Sequence, residues 1–156
     1  MLTGTLSGEV HVGDTCSNWI VTSSVTVPEG AKLVIHPGTE LTFSAGAALV
    51  VRSGIIEAIG TEDLPILLTG AEKTPGFWAG VALQNASSTE NQLAHVTIEY
   101  GGSKYSTSSA KAGLTLLGSS TTPSRIEIVS STVRHSSGHG LALDAFAKLP
   151  NFAGNT

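Results

Sequence analysis

Between Val25 and Val51 the sequence repeats one small unit every eight residues. Apolar pairs two positions apart, Val25/Val27, Leu33/Ile35, Leu41/Phe43 and Leu49/Val51, alternate with Gly30, Gly38 and Gly46, and Gly54 follows at the same interval. Residues two apart on a strand point the same way, so each pair reads as a short strand with one buried face. Glycine adopts the positive φ that a tight corner often needs. Three such sides make a coil of about two dozen residues, the length of a stacked solenoid repeat. An antiparallel sandwich also shows short alternating strands. It calls for two-residue turns such as Asn-Gly or Asp-Gly, and neither dipeptide occurs. The spacing predicts an all-β chain folded as a parallel β-helix, a single-stranded solenoid with three short parallel sheets.

One domain spans residues 1–156, in three stretches. Residues 1–24 are less regular and read as a cap or first coil, with Leu6, Val10, Val12 and Trp19-Ile20-Val21 in its strands. Terminal repeats of a solenoid are usually atypical, and Trp19 is expected to cover that end or fill a corner. Residues 25–69 form the regular coils. In Gly54-Ile-Ile-Glu-Ala58 the buried pair could be Ile55/Glu57 or Ile56/Ala58. Burying an unpaired carboxylate costs several kcal/mol, so Ile56 and Ala58 face inward. The coil from Leu33 to Ile56 is then one residue shorter than three eights.

Residues 70–156 keep the logic with longer coils. Gly80-Val-Ala-Leu83, Gly113-Leu-Thr-Leu116 and Gly140-Leu-Ala-Leu143 share one form, 33 and then 27 residues apart. Thr97-Ile-Glu-Tyr100 and Thr132-Val-Arg-His135 make a second matched set. The polar run Ser103–Ser109, which contains Tyr105, reads as a loop inserted at a corner. Only Asp144–Lys148 tolerates a helix. Asn151–Thr156 looks like the start of a further turn, an uncapped end expected to self-associate through unpaired strand edges.

Composition narrows the function classes. Eight Lys and Arg against twelve Asp and Glu give a formal charge of −4, which carries no basic footprint for nucleic acid. No apolar window reaches the length of a membrane span. Cys16 is alone, so it forms no intrachain disulfide.

The segment Val25-Thr-Val-Pro-Glu-Gly-Ala-Lys-Leu-Val-Ile-His-Pro-Gly-Thr39 resembles the opening coil of right-handed parallel β-helix domains in bacterial secreted and surface-anchored proteins. Gly54–Thr61, Pro65–Thr69, Trp78–Val81 and Ile98–Gly102 follow in that family's usual order. The resemblance implies a right-handed helix and an extracellular or cell-surface location. It implies no particular chemistry, because these residues are strand cores and corners.

Chemistry has few candidates. Gly138-His139-Gly140, near Arg134 and His135, resembles one element of polygalacturonase-type hydrolases. Such enzymes use paired carboxyl groups on neighbouring coils, and the matching region, Ala112–Gly118, holds no Asp pair. His139, Arg134 and His135 are therefore the least unfavourable catalytic candidates, and no catalytic residue is assigned. Calcium would want several clustered oxygens. The adjacent acids Glu62 and Asp63 sit on a corner, while Glu57, Glu99 and Glu127 lie on strands that could share one wall. Among His11, His36, His95, His135 and His139, only His135/His139 has metal-motif spacing, across an apparent turn. No metal or cofactor is expected. Cys16 reads as a small, semi-buried thiol. A threonine ladder fails, since the outward row one coil on from Thr26 holds Val50. Tyr100 and Tyr105, beside Gly101-Gly102 and the inserted loop, suit stacking on sugar rings. The chain reads as a non-catalytic structural or adhesive module. The alternative is a polysaccharide-binding or carbohydrate-active domain, with a polysaccharide or cell-surface glycan as partner.

Overall fold

In the computed structural model the described residues are 1–106 and 110–156, so Thr107, Ser108 and Ser109 of the inserted loop lie outside them. Among the described residues there is no helix, including over Asp144–Lys148. Strand β1 (Leu2–Thr5) leads in. Five three-sided coils follow. The first holds β2 (Glu9–Val12) and the long β3 (Asn18–Val27), the second β4 (Lys32–Ile35), β5 (Glu40–Phe43) and β6 (Ala48–Arg52). The third holds β7 (Ile55–Ile59), β8 (Ile66–Gly70) and β9 (Gly80–Gln84), the fourth β10 (Gln92–Ala94), β11 (Val96–Glu99) and β12 (Ala112–Leu117). The fifth holds β13 (Glu127–Val129), β14 (Thr132–Arg134) and β15 (His139–Leu143), and β16 (Phe152–Ala153) begins a sixth.

Every ladder is parallel, and each strand pairs with its counterpart one coil away. Parallel crossovers of this kind are right-handed in nearly all sheets. The first face stacks β2, β4, β7, β10, β13 and β16. The second runs from the start of β3 through β5, β8, β11 and β14, the third from the end of β3 through β6, β9, β12 and β15. These two faces are hydrogen-bonded into one sheet, because β3 passes the corner unbroken: Asn18–Val21 pair with β5 and Val25–Val27 with β6. The expected three sheets are thus three faces, two of them joined at one end.

The alternating pairs are the core. Val25, Val27, Leu33, Ile35, Leu41, Phe43, Leu49 and Val51 are all buried, as are Ile56 and Ala58. Leu33 lies against Ile56, a register of 23 residues, and Thr26 lies against Val50. Gly80, Gly113 and Gly140 open one rung of the third face, where Val81, Leu114 and Leu141 align. Trp19 is half-buried against the core, and its indole N–H donates to Cys16 O at 2.7 Å. Cys16 itself is exposed rather than semi-buried.

Corners are held in three ways. Gly30, Gly38 and Gly46 have φ of 77°, 76° and 69°, as the spacing anticipates. Gly54 does not. Its φ is ordinary, and a Cβ there would stand 2.5 Å from Val27 O and 2.6 Å from Pro28 O, so glycine is required for close backbone approach. Later corners place ordinary residues in the left-handed region, among them His95, Tyr100, Ser130 and His135. Buried polar side chains satisfy the remaining backbone groups across coils. Asn91 accepts from Ile56 N–H at 2.9 Å and donates to Ala86 O at 3.0 Å.

At the far end the core column opens. Leu114, Ile128, Val133, Leu141 and Phe152 line a cavity of about 310 Å³, and Phe152 is half-exposed. The cavity's lining is mostly apolar.

Candidate functional site

The register of the second face aligns Thr42, Thr69, Glu99 and Arg134 on its outer side. The next position is Tyr100 on one coil and His135 on the next. Both have positive φ, 61° and 54°, a conformation that costs an ordinary residue about 1–2 kcal/mol. The shared corner geometry stacks the two rings, 5.1 Å between centroids and 15° between planes. The corner before β9 brings Lys73 alongside, its Nζ 5.4 Å from the Tyr100 ring centre.

Beneath this platform lies Glu99, whose side chain is 7% exposed. Oε2 accepts from Arg134 Nε and lies against Arg134 Nη2, each at 2.8 Å. Oε1 accepts from Thr69 Oγ1 at 3.0 Å and faces Lys73 Nζ at 3.7 Å. Lys73 also donates to Thr69 Oγ1 at 2.7 Å. The ridge is tied to the core through Trp78, which is fully buried. Its indole N–H donates to the Glu99 carbonyl at 2.8 Å, and its ring stacks on Phe43 at 4.0 Å. Two cations outweigh one carboxylate here. With both oxygens engaged, Glu99 is bound to its neighbours and is not a free general base.

The other sequence candidates separate. Arg134, His135 and Tyr100 come together on this ridge. His139 does not join them: it opens β15 opposite Ala112, its backbone N–H donates to Lys111 O, and its side chain is exposed. The His135/His139 spacing therefore makes no pair, since the turn between them sends His135 onto Tyr100. Tyr105 is also apart from Tyr100. It lies over Ala48, Val50 and Ala79 on the third face and accepts a hydrogen bond from Gln84 Nε2 at 3.0 Å. Burial there pushes its phenol above the ordinary value, against the opposite pull of Gln84 and Arg52.

The three strand glutamates do not share a wall. Glu57 and Glu127 project from the first face, in line through Gln92, while Glu99 belongs to the second. Glu57 and Glu90 both contact Lys32 Nζ, at 2.8 Å and 3.0 Å, and hold its ammonium above the usual lysine range. Glu62 and Asp63 are exposed on their corner. Among the described residues no three His, Cys, Asp or Glu converge as metal ligands, and no helix is long and apolar enough to cross a membrane.

Two contacts escaped the linear reading. Lys73 reaches Glu99 from a corner loop. His11 meets His36 across one coil, with Nδ1 and Nε2 3.0 Å apart. The register carried a signal for the second, because Val10 pairs with Leu33 and sets His11 beside Val34, two residues from His36.

The family described as pectate-lyase like beta helix domain matches residues 4–111, and the chain belongs to it. No curated protein and no solved structure matches.

Proposed function

We propose that this member of the pectate-lyase-like β-helix family is an extracellular, non-catalytic module that adheres to polysaccharide along the ridge between its second and third faces. The observation that carries the reading is the pairing of an outward Tyr100–His135 platform with a carboxylate, Glu99, that is bound by Arg134, Thr69 and Lys73. Glycoside hydrolysis of the usual kind needs one carboxyl group to protonate the leaving oxygen and a second to attack or to activate water. An engaged Glu99 serves neither role well. The exposed edges of the stacked rings and the outer side of His135, beside the Lys73 ammonium and the Arg134 guanidinium, suit a sugar ring and its hydroxyls.

The test is a polysaccharide panel including pectins, with and without calcium, scored both for retention and for new chain ends. Retention without new ends, reduced at least tenfold by Tyr100→Ala, is the expected result. New chain ends that disappear in His139→Ala would overturn the reading and move the site to the Gly-His-Gly corner. Retention unchanged in Tyr100→Ala would overturn the placement on the ridge.

A further inference from the structure

A second cluster lies on the first face, away from the ridge. Glu9 Oε1 stands 2.8 Å from His11 Nε2, and His11 Nδ1 stands 3.0 Å from His36 Nε2. The carboxylate accepts, so a neutral His11 carries its proton on Nε2 and turns the lone pair of Nδ1 toward His36. The rings meet edge to edge, with centroids 5.2 Å apart and planes 25° apart. In that tautomer of His11, His36 Nε2–H donates to His11 Nδ1.

From this geometry we infer that Glu9, His11 and His36 form a surface site for a divalent transition-metal ion of the zinc class, with the two imidazoles as protein ligands and water at the other positions. Two nitrogens each about 2.0–2.1 Å from one ion lie about 2.9 Å apart at a right angle and about 3.4 Å apart at the tetrahedral angle. The observed 3.0 Å falls between those values. Binding requires both rings to tilt so that their lone pairs converge on the solvent side. His11, 43% exposed, has room to do so. His36 moves its proton from Nε2 to Nδ1, so no net proton is lost when both rings are neutral.

The backbones are already fixed for this task. His36 N–H donates to Val12 O at 2.9 Å, and Thr39 Oγ1 donates to His36 O at 2.6 Å. His11 thus lies on β2 opposite Val34, and His36 lies just past the end of β4 on a corner pinned by these two bonds. Glu9 occupies the outer position, where a carboxylate on the far ring nitrogen fixes the tautomer and raises ligand basicity. Lys32, opposite Glu9 in the ladder, is drawn to Glu57 and Glu90 on the following coils and leaves Glu9 to His11.

Zinc titration of the full chain by calorimetry tests the inference, with the histidine ring nitrogens followed by NMR. One Zn²⁺ per chain is expected, with His36 changing to the Nδ1–H tautomer. Affinity should fall at least tenfold in His11→Ala and in His36→Ala. Glu9→Gln should weaken it by about tenfold or more, while His139→Ala leaves it unchanged. Absence of binding up to about 1 mM zinc, or binding that persists in both His11→Ala and His36→Ala, would overturn the site.

Discussion

Trp78→Phe is the most informative single change to the scaffold beneath the ridge. The indole is fully buried, stacks on Phe43 at 4.0 Å and 13°, and donates to the Glu99 carbonyl at 2.8 Å. Phenylalanine keeps a ring against Phe43 but removes the donor and the second ring. The carbonyl left without its partner costs about 1–3 kcal/mol. The lost volume adds about 1 kcal/mol, because a packed core relaxes only in part. The expected loss is about 2–4 kcal/mol, and each kcal/mol lowers Tm by about 2–4 °C in a chain of this size. Urea unfolding followed by far-ultraviolet circular dichroism measures it, with m compared between the two proteins. Trp78→Ala combined with Phe43→Leu then isolates the ring–ring contact, expected at about 0.5–1.5 kcal/mol. A Trp78→Phe loss below about 0.5 kcal/mol, with m unchanged, would refute the claim that the indole hydrogen bond anchors Glu99.

Two further outcomes test the corners and the third face. Gly30→Ala meets open space and pays only for its left-handed backbone, about 1–2 kcal/mol, whereas Gly54→Ala drives a methyl into two backbone carbonyls. Thermal melts should show Gly54→Ala at least twice as destabilising, and equal losses would contradict the close-approach role. The Tyr105 phenol should ionise above the ordinary phenol range in an ultraviolet titration, because burial favours its neutral form. Its contribution to stability is complete below the ordinary phenol value of about 10 and declines as pH rises through the raised value. Ionisation of Tyr105 at the ordinary phenol value would refute its packing against Ala48, Val50 and Ala79.

Much of this architecture is written locally. The apolar pairs from Val25 to Val51 declare which side of each strand is buried, and the cost of burying Glu57 sets the shortened register to Ile56. The similarity of Thr97–Tyr100 to Thr132–His135 likewise anticipates a ladder that pairs Glu99 with Arg134. Other features depend on what a residue meets from another coil. Gly54 shares the eight-residue interval of Gly30, yet it is required by Val27 and Pro28 and not by its own φ. The bend of β3 through a corner, which joins two faces into one sheet, has no local marker.

The candidate sites divide the same way. Tyr100, Arg134 and His135 could be singled out by residue type and matching strands, and their convergence follows from the register. His139 could not be excluded from that group by sequence, since four residues span either a shared face or a turn onto a new one. Lys73 and the His11–His36 pair depend on side chains meeting across coils of unequal length. The sequence by itself determined the solenoid, its core rows and much of its register, because periodic burial is a property of successive residues. Only the tertiary structure decided that Glu99 is held by Lys73 and Arg134, that Tyr105 lies apart from Tyr100, and that two histidines 25 residues apart meet ring nitrogen to ring nitrogen. Those outcomes rest on distances between coils, which corner length and side-chain reach set together.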